Sequence, residues 1–295
     1  MDFYGSELPV FRANLHTHST TSDGMSTPQQ AIWQYQQAGY DVLAFTDHRK
    51  TNPVSSFDGR GMTLISGIEL HPRGPRNTRY WHLLALGVPE DFPGEFDSAQ
   101  TAIDAVNAAG GIVFVAHPHW CGQTSADILA LHGYAGIEVY NTGCRNIGKA
   151  DSEQCWDELI QQGRPCGALA VDDMHRPYDL FGGWTMIAAP DKSPEAILHA
   201  LRAGSYYATQ GPQFTRLELK GRVFTAEFSE VVSAVLIGEG YTGWVGVLPD
   251  HPMRGMHESA TSMRVLIQPE YSGSVRCRIV DAAGRRAWST PVKVE

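Results

Sequence analysis

The chain has 295 residues, 42% of them hydrophobic, which suffices for one large domain or a medium domain with a smaller companion and excludes a disulfide-stapled miniprotein. Thirty-two acidic residues against 23 basic ones give a formal charge of -9, which excludes a broad cationic surface for a nucleic-acid backbone or an anionic membrane. No run approaches the roughly 18 apolar residues of a membrane span, and the start Met-Asp-Phe-Tyr-Gly-Ser-Glu is neither basic nor apolar, so the expected location is the cytoplasm.

From the start to about residue 210 the chain repeats an apolar run, a capped helical stretch and a glycine. The first helix has Thr27 as N-cap, Pro28 at its first position, Gln30 to complete a capping box and Gly39 as its stop. Strands are expected over Asp41–Thr46, Leu64–Glu69 and His82–Leu86. Helix 98–109 then ends at Gly110 and leads to Ile112–Ala116, helix 125–132 ends at Gly133 and leads to Gly136–Tyr140, and helix 152–162 ends at Gly163 and leads to Ala168–Val171. Ser193-Pro194 opens a last helix, 194–203, closed by Gly204. Short apolar runs such as Val-Leu-Ala-Phe read as strands buried on both faces. Their alternation with helices predicts parallel strands joined by helical crossovers, a small α/β barrel over residues 1–212. After Gly211-Pro212 the pattern turns to alternating strands without helices: Phe214–Leu219, Val223–Phe228, Val231–Ile237, Ser262–Ile267, Val275–Val280 and Val292–Val294. Residues 213–295 are therefore expected to form a small antiparallel β-sandwich, with an ordinary long loop from Asp250 to Gly255. The five cysteines (Cys121, Cys144, Cys155, Cys166 and Cys277) share no C-x-x-C spacing and read as buried free thiols.

The positions of the twelve histidines are far from random. Residues 16–24 read His-Thr-His-Ser-Thr-Thr-Ser-Asp-Gly, and His16 and His18, two apart on extended backbone, project to one face as a bidentate metal grip. Later barrel strands also end in ligand types: Thr46-Asp47-His48, Ile68-Glu69-Leu70, Ala116-His117-Pro118-His119, Ile137-Glu138-Val139 and Val171-Asp172-Asp173-Met174-His175. His82 lies in a further apolar run. The C-terminal strand ends of an α/β barrel converge on one mouth, so these side chains are expected to meet there. Imidazoles mixed with carboxylates, with no recruited cysteine, favour Zn, Mn or Fe over a thiolate site or an all-oxygen Ca or Mg site.

In that order, His-Thr-His-(x)4-Asp-Gly, Thr-Asp-His, Gly-Ile-Glu-Leu, Ala-His-Pro and Asp-x-His resemble the polymerase-and-histidinol-phosphatase (PHP) superfamily of metal-dependent hydrolases, over the whole barrel half. Ile-Glu-Val-Tyr-Asn, Asp-Asp-Met-His-Arg and the Thr-Gln-Gly-Pro of residues 209–212 are similar to its carbaryl-hydrolase-like (CehA/McbA-like) branch, whose members often carry a short C-terminal β-domain. The resemblance implies a distorted seven-stranded (β/α) barrel holding two to three divalent metal ions. It places His16, His18, Glu69 and Asp173 on the first metal, with Glu69 bridging to a second on His82 and His117. Asp23, His48 and His175 take the third. Register leaves either Asp172 or Asp173 possible in the Asp-x-His motif, and the spacing selects Asp173.

Asp47, His119, Glu138 and Asp172 receive no ligand role and are expected to orient ligand imidazoles through their outer N–H groups. Arg176, Arg145 and the arginines of the 71–80 loop (Arg73, Arg76 and Arg79) follow strand ends, where they could clamp a substrate phosphate or remain solvated. Trp120 is either a stacking platform or a packing residue at the rim. His71, His132, His199, His251 and His257 are expected to be structural. With no Gly-x-Ser-x-Gly elbow, the expected nucleophile is a metal-bound hydroxide. The expected activity is a phosphoesterase acting on small phosphate esters or nucleotides, with a small molecule as the partner. Hydrolysis of a carbamate, ester or amide by the same site is the alternative, and a metal-stabilised scaffold whose β-domain binds a partner is a third reading.

Overall fold

The computed structural model describes residues 1–75, 80–248 and 259–295. Arg76, Arg79, His251, His257 and the loop expected from Asp250 to Gly255 lie outside the described residues. The chain is mixed α/β, with six α-helices and two main sheets among the described residues.

Local signals place the helices. Thr27 accepts from the Gln30 backbone N–H while the Gln30 side chain accepts from Thr27 N, so the capping box forms and Pro28–Gln37 follows. The chain leaves that helix through Gly39 at φ 75°, a conformation that costs glycine little. Ala31, Ile32 and Tyr35 form its buried stripe against Leu43 and Phe45 of the next strand. Ala99–Ala108, Glu153–Gln161 and Pro194–Ala203 lie where expected, whereas the 125–132 stretch forms only Ser125–Leu129.

The large sheet takes Val10–Asn14, Val42–Phe45, Thr63–Leu70, Leu83–Leu86, Ile112–Val115, Gly136–Asn141 and Gly167–Val171 side by side in chain order. Trp184–Ala188 flanks Val10–Asn14, and its Thr185 Oγ1 donates to the Ala170 carbonyl at 3.1 Å, drawing the Gly167–Val171 edge back toward it. The sheet thus curls into a distorted barrel whose last seam is closed by a side chain instead of a backbone ladder. Leu15, Ile65, Phe114, Leu169 and Ile187 fill the core beneath the site, joined by Ile197 and Leu201 of the last helix.

One strand departs from the expected parallel array. Leu83–Leu86 runs antiparallel to both neighbours, with Leu83 opposite Leu70 on one side and Val115 on the other. The described parts of the connection after Leu70 contain no helix, and a parallel return needs a crossover of about a dozen residues or more, usually helical. His82 therefore precedes its strand, and the reversal is what delivers it to the level where Leu70 and Val115 stop.

The C-terminal strands are not a separate sheet. Tyr206–Thr209 pairs with Arg286–Ser289, and the large sheet runs on through Gly273–Val280, Ser233–Ile237 and Gly243–Val247. A five-stranded sheet of Ala260–Leu266, Val223–Val231, Phe214–Lys220, Asp2–Phe3 and Ser6–Glu7 shares its core, which includes Phe3, Leu217, Phe224, Leu236 and Ile279. The first residues, which the sequence pattern groups with the barrel, thus belong to this second core: Asp2 and Phe3 pair in parallel with Arg216 and Leu217.

A buried arginine cluster fixes these strands to the Glu153–Gln161 helix. Arg276, 2% exposed, meets Glu153 at 3.0 Å and Asp157 at 2.5 Å, and its guanidinium lies 4.6 Å from the Trp156 ring centroid. Arg278 and Arg286 reach the same Glu153 carboxylate, each at 3.3 Å. Burial alone would raise the Glu153 carboxyl, but Arg276 and Arg278 more than offset it and hold it below the ordinary range. Arg276→Ala leaves that carboxylate buried without its main partner and should cost about 3–5 kcal/mol. Urea denaturation should show the loss in full at neutral pH, and the difference should shrink as the pH falls through the depressed folded-state pKa of Glu153 in the parent protein.

Candidate metal centre

Glu69, near the end of Thr63–Leu70, is fully buried and has imidazoles against both of its oxygens. Oε1 lies 2.8 Å from His82 Nδ1, 3.1 Å from His117 Nε2 and 3.6 Å from His16 Nε2. Oε2 lies 2.6 Å from His48 Nδ1, 3.3 Å from His71 Nε2 and 3.6 Å from His18 Nε2. Asp173 Oδ1 stands 3.0 Å from His18 Nε2 and 3.2 Å from His16 Nε2. Asp23 is 3.5 Å from the Nε2 atoms of both His48 and His175. The fold thus brings His16, His18, Asp23, His48, Glu69, His82, His117, Asp173 and His175 to one mouth.

Backbone geometry serves this convergence. His117 and Asp173 sit at φ 27° and 50°, in the left-handed region that non-glycine residues seldom occupy. Such positions cost on the order of 1–3 kcal/mol and persist where the surroundings over-determine them, as at binding sites. Gly24 lets the Asp23 loop fold onto His18, because a Cβ there would lie 2.6 Å from the His18 carbonyl carbon.

The donor set fits divalent cations. His16 Nδ1 faces Glu138 Oε1 at 2.6 Å, so it donates there and turns the Nε2 lone pair inward, 3.0 Å from His18 Nε2. His175 Nδ1 faces the Asp173 carbonyl at 3.0 Å, which leaves its Nε2 lone pair toward Asp23. His18 Nδ1 and Asp173 Oδ1 are buried polar atoms without a hydrogen-bond partner among the described residues. Burial lowers His18 to about 4 and also lowers His82, which keeps both imidazoles neutral, as ligands must be. At His48 burial is outweighed by Asp23 and Glu69, which raise it to about 10. At His16 burial is likewise outweighed, by Asp173, Glu138 and Glu69. Burial opposes ionisation of Glu69 and Asp173, yet the surrounding imidazoles hold both carboxyls well below the usual range. The negative charge that draws protons to His16 and His48 is equally available to a divalent cation, which would displace them.

The expected supporting residues divide. Glu138 holds His16 and also accepts from His117 N at 2.9 Å. Asp47 makes no hydrogen bond to a cluster imidazole among the described residues: it accepts from Ser19 N at 2.8 Å, Ser22 N at 3.0 Å and Asn52 Nδ2 at 2.6 Å, shaping the loop between His18 and Asp23. Asp172 accepts from Tyr35 Oη at 2.9 Å and from Phe181 N and Gly182 N at 2.8 and 2.9 Å, and burial raises it to about 6. His119 is exposed and pairs with the Asp151 carbonyl at 3.0 Å. The two aspartates serve backbone groups because a short side chain at a strand end reaches nearby main-chain N–H groups first. Two side chains set aside in the sequence touch the cluster. Cys121 Sγ is 3.5 Å from His117 Nδ1, and His71 abuts Glu69. The i, i+2 spacing that pairs His16 with His18 also pairs Glu69 with His71, and it was the signal available for the latter.

A cleft of about 450 Å³ opens over the cluster, bordered also by Trp120, Asn146, Ile147, Arg176 and Tyr178. Trp120 places its ring 5.2 Å from both His82 and His117. Arg176 donates to Tyr178 Oη at 2.7 Å with its guanidinium exposed. Arg145 does not line the cleft; it donates to the Tyr178 carbonyl. Arg73 is exposed and bridges to Tyr80 through the backbone.

No protein-family model matches the chain. A segment of 84 residues, 27% of the chain, is 37% identical to a phosphoribosyl 1,2-cyclic phosphate 1,2-diphosphodiesterase from Eggerthella lenta. The match spans 32% of that curated relative's length. Over its full length the chain is similar in fold to a two-domain protein from Bacteroides vulgatus that contains a predicted PHP-like metal-dependent phosphoesterase, with a TM-score of 0.56, 16% identity and 98% of that chain covered. An amidohydrolase from Chromobacterium violaceum, with bound sulfate and no metal, covers 56% of this chain and 88% of its own at 18% identity and a TM-score of 0.45. The Bacteroides protein thus shares the fold of both halves.

The purified chain should carry about two to three equivalents of Zn, Mn or Fe, and Glu69→Gln should remove at least about one, since a carboxylate between two cations serves both. Elemental analysis reads this directly. A cation bound at this cluster would displace protons from His16 and His48, so metal addition should acidify a weakly buffered solution and retention should strengthen as the pH rises.

Proposed function

We propose that the chain is a metal-dependent hydrolase of the PHP type, acting as a phosphoesterase on small phosphate esters or nucleotides, with features of the carbaryl-hydrolase-like branch. In this reading the strands from Val10–Asn14 to Gly167–Val171 form the seven-stranded barrel, and the five-stranded sheet, which takes in residues 2–7, forms a sandwich with the part of the large sheet that lies after Gly211-Pro212. The observation that carries it is a fully buried carboxylate, Glu69, flanked by six imidazoles. A carboxylate accepts at most about four hydrogen bonds, and the Nε2 atoms of His16 and His18, 3.6 Å from Glu69 and 3.0 Å from each other, lie beyond that reach, so their lone pairs call for a cation.

His16, His18, Glu69 and Asp173 would hold the first, Glu69, His82 and His117 the second, and Asp23, His48 and His175 the third. Divalent Zn, Mn or Fe bound there would acidify water and offset charge on a phosphoryl group. The chain's own residues do the positioning. Glu138 fixes the tautomer of His16, Asp173 faces both His16 and His18, and Tyr178 Oη steadies the Arg176 guanidinium beside the cluster. Arg176 then offers N–H groups to phosphate oxygens that the cluster leaves uncovered. The segment shared with a cyclic phosphodiesterase supports a phosphoester as the bond cleaved. The Arg276 network supports a packing role for the C-terminal strands over a partner-binding one. Among the described residues no helix is long and apolar enough to cross a membrane.

One observation favours the carbamate, ester or amide reading. Trp120 and Ile147, 43% and 62% exposed, border the cleft and would seat an uncharged aryl group. Arg176→Ala separates the two. On a phosphoester it should cost about 1.5–3 kcal/mol, on the order of tenfold to a hundredfold in kcat/KM, by loss of one charge-assisted contact. On an aryl carbamate it should change little. Steady-state kinetics of the Mn- and Zn-loaded protein on both substrates check this, and negligible losses on both would remove the phosphate clamp.

A further inference from the structure

We infer that His71 is itself a metal ligand, sharing a cation with Glu69 on the Oε2 side of the carboxylate; the inference rests on the metal-dependent reading of the site. His71 stands one residue beyond Thr63–Leu70 and two beyond Glu69, so extended backbone presents both side chains on one side. Its Nε2 lies 3.3 Å from Glu69 Oε2, the oxygen that also faces His48 Nδ1 at 2.6 Å. The ligand atoms of His48, Glu69 and His71 all lie within 4.8 Å of one another. Two atoms each about 2.0–2.2 Å from one ion at tetrahedral angles stand roughly 3.3–3.5 Å apart, so the Glu69–His71 spacing is that of two ligands sharing a cation.

The ring is held for this role. It stacks on His82 with centroids 4.0 Å apart and planes 18° apart, and it meets the His48 ring at 4.6 Å and 65°. The side chain is 11% exposed, so its nitrogen faces the cluster and not bulk water. At 3.3 Å the contact is longer than the usual hydrogen bond of about 2.7–3.2 Å, and the same oxygen faces His48 Nδ1, a buried atom without a hydrogen-bond partner among the described residues, at 2.6 Å. An imidazole nitrogen beside a carboxylate oxygen is a donor pair for a borderline ion such as Zn, Fe(II) or Mn.

The test uses the full chain, loaded with Zn or Mn and desalted, with bound metal counted by elemental analysis and folding checked by circular dichroism. His71→Phe keeps a ring to stack on His82 but removes the nitrogen, and His71→Asp returns a ligand atom without a ring or a proton donor. The expected result is loss of about one equivalent in His71→Phe and its recovery in His71→Asp. Two results would overturn the inference: an undiminished count in His71→Phe, even with a tenfold to hundredfold weaker affinity of the kind an outer hydrogen-bonding partner gives, or recovery by the donor His71→Gln and not by Asp. If His71→Phe fails to fold, the Asp and Gln variants decide between the same outcomes. The parent protein measured alongside keeps the two readings distinguishable: if it takes no metal at all, the proposed function falls with the inference, whereas a loaded parent and an equally loaded His71→Phe remove His71 alone.

Discussion

Glu69 is taken out of water where several strands of the large sheet end, and a buried carboxylate stays anionic only when neighbours supply donors or positive charge. Three imidazoles face each of its oxygens, and they come from the loop after Val10–Asn14, the loop after Val42–Phe45, the two ends of the connection into Leu83–Leu86 and the turn after Ile112–Val115. Every one of those strands must therefore stop at the same level. The unfavourable φ values of His117 and Asp173, the missing Cβ at Gly24 and the reversal of Leu83–Leu86 are local adjustments to that one requirement.

Around this centre lies a layer of carboxylates doing a different task. Glu138 sets the direction of an imidazole, whereas Asp47 and Asp172 hold main-chain loops. The division matters for the cleft, because Asp172 pins residues 181–183 while Asp179 accepts from His175 N and Arg176 N at 3.2 and 2.9 Å. The loop carrying Arg176 and Tyr178 is thus tied down at both ends, and the exposed guanidinium is presented from rigid backbone instead of from a free loop.

Much of this was legible in the sequence, for identifiable reasons. The capping box at Thr27, the helix-ending glycines and the apolar strand runs are local signals, and local structure followed them closely. Strand-end side chains in a barrel can be gathered without knowing their distances, which is why the nine scattered residues lie at one mouth as expected. What was not legible depends on three-dimensional neighbours. The direction of Leu83–Leu86 turns on a connection whose described residues hold no helix, the tasks of Asp47 and Asp172 turn on which N–H groups lie nearest, and His71 was passed over although its spacing to Glu69 carries the same signal as the His16–His18 pair. The place of Asp2 and Phe3 was hidden most deeply, because two-residue strands have no periodicity to read and their parallel partners, Arg216 and Leu217, lie more than 200 positions away.

The pairing of the first strand with Arg216 and Leu217, and of Tyr206–Thr209 with Arg286–Ser289, bears on how the chain is made. Synthesis proceeds from the N-terminus, and domains whose contacts are local can fold as they emerge. Here the second core joins Phe3 to strands beyond residue 213, and one edge of Tyr206–Thr209 stays unpaired until Arg286–Ser289 has been made. An unpaired strand edge is a template for intermolecular association. The nascent chain is therefore exposed to association after Tyr206–Thr209 has been made and before Arg286–Ser289 follows, an interval in which chaperone binding would raise yield.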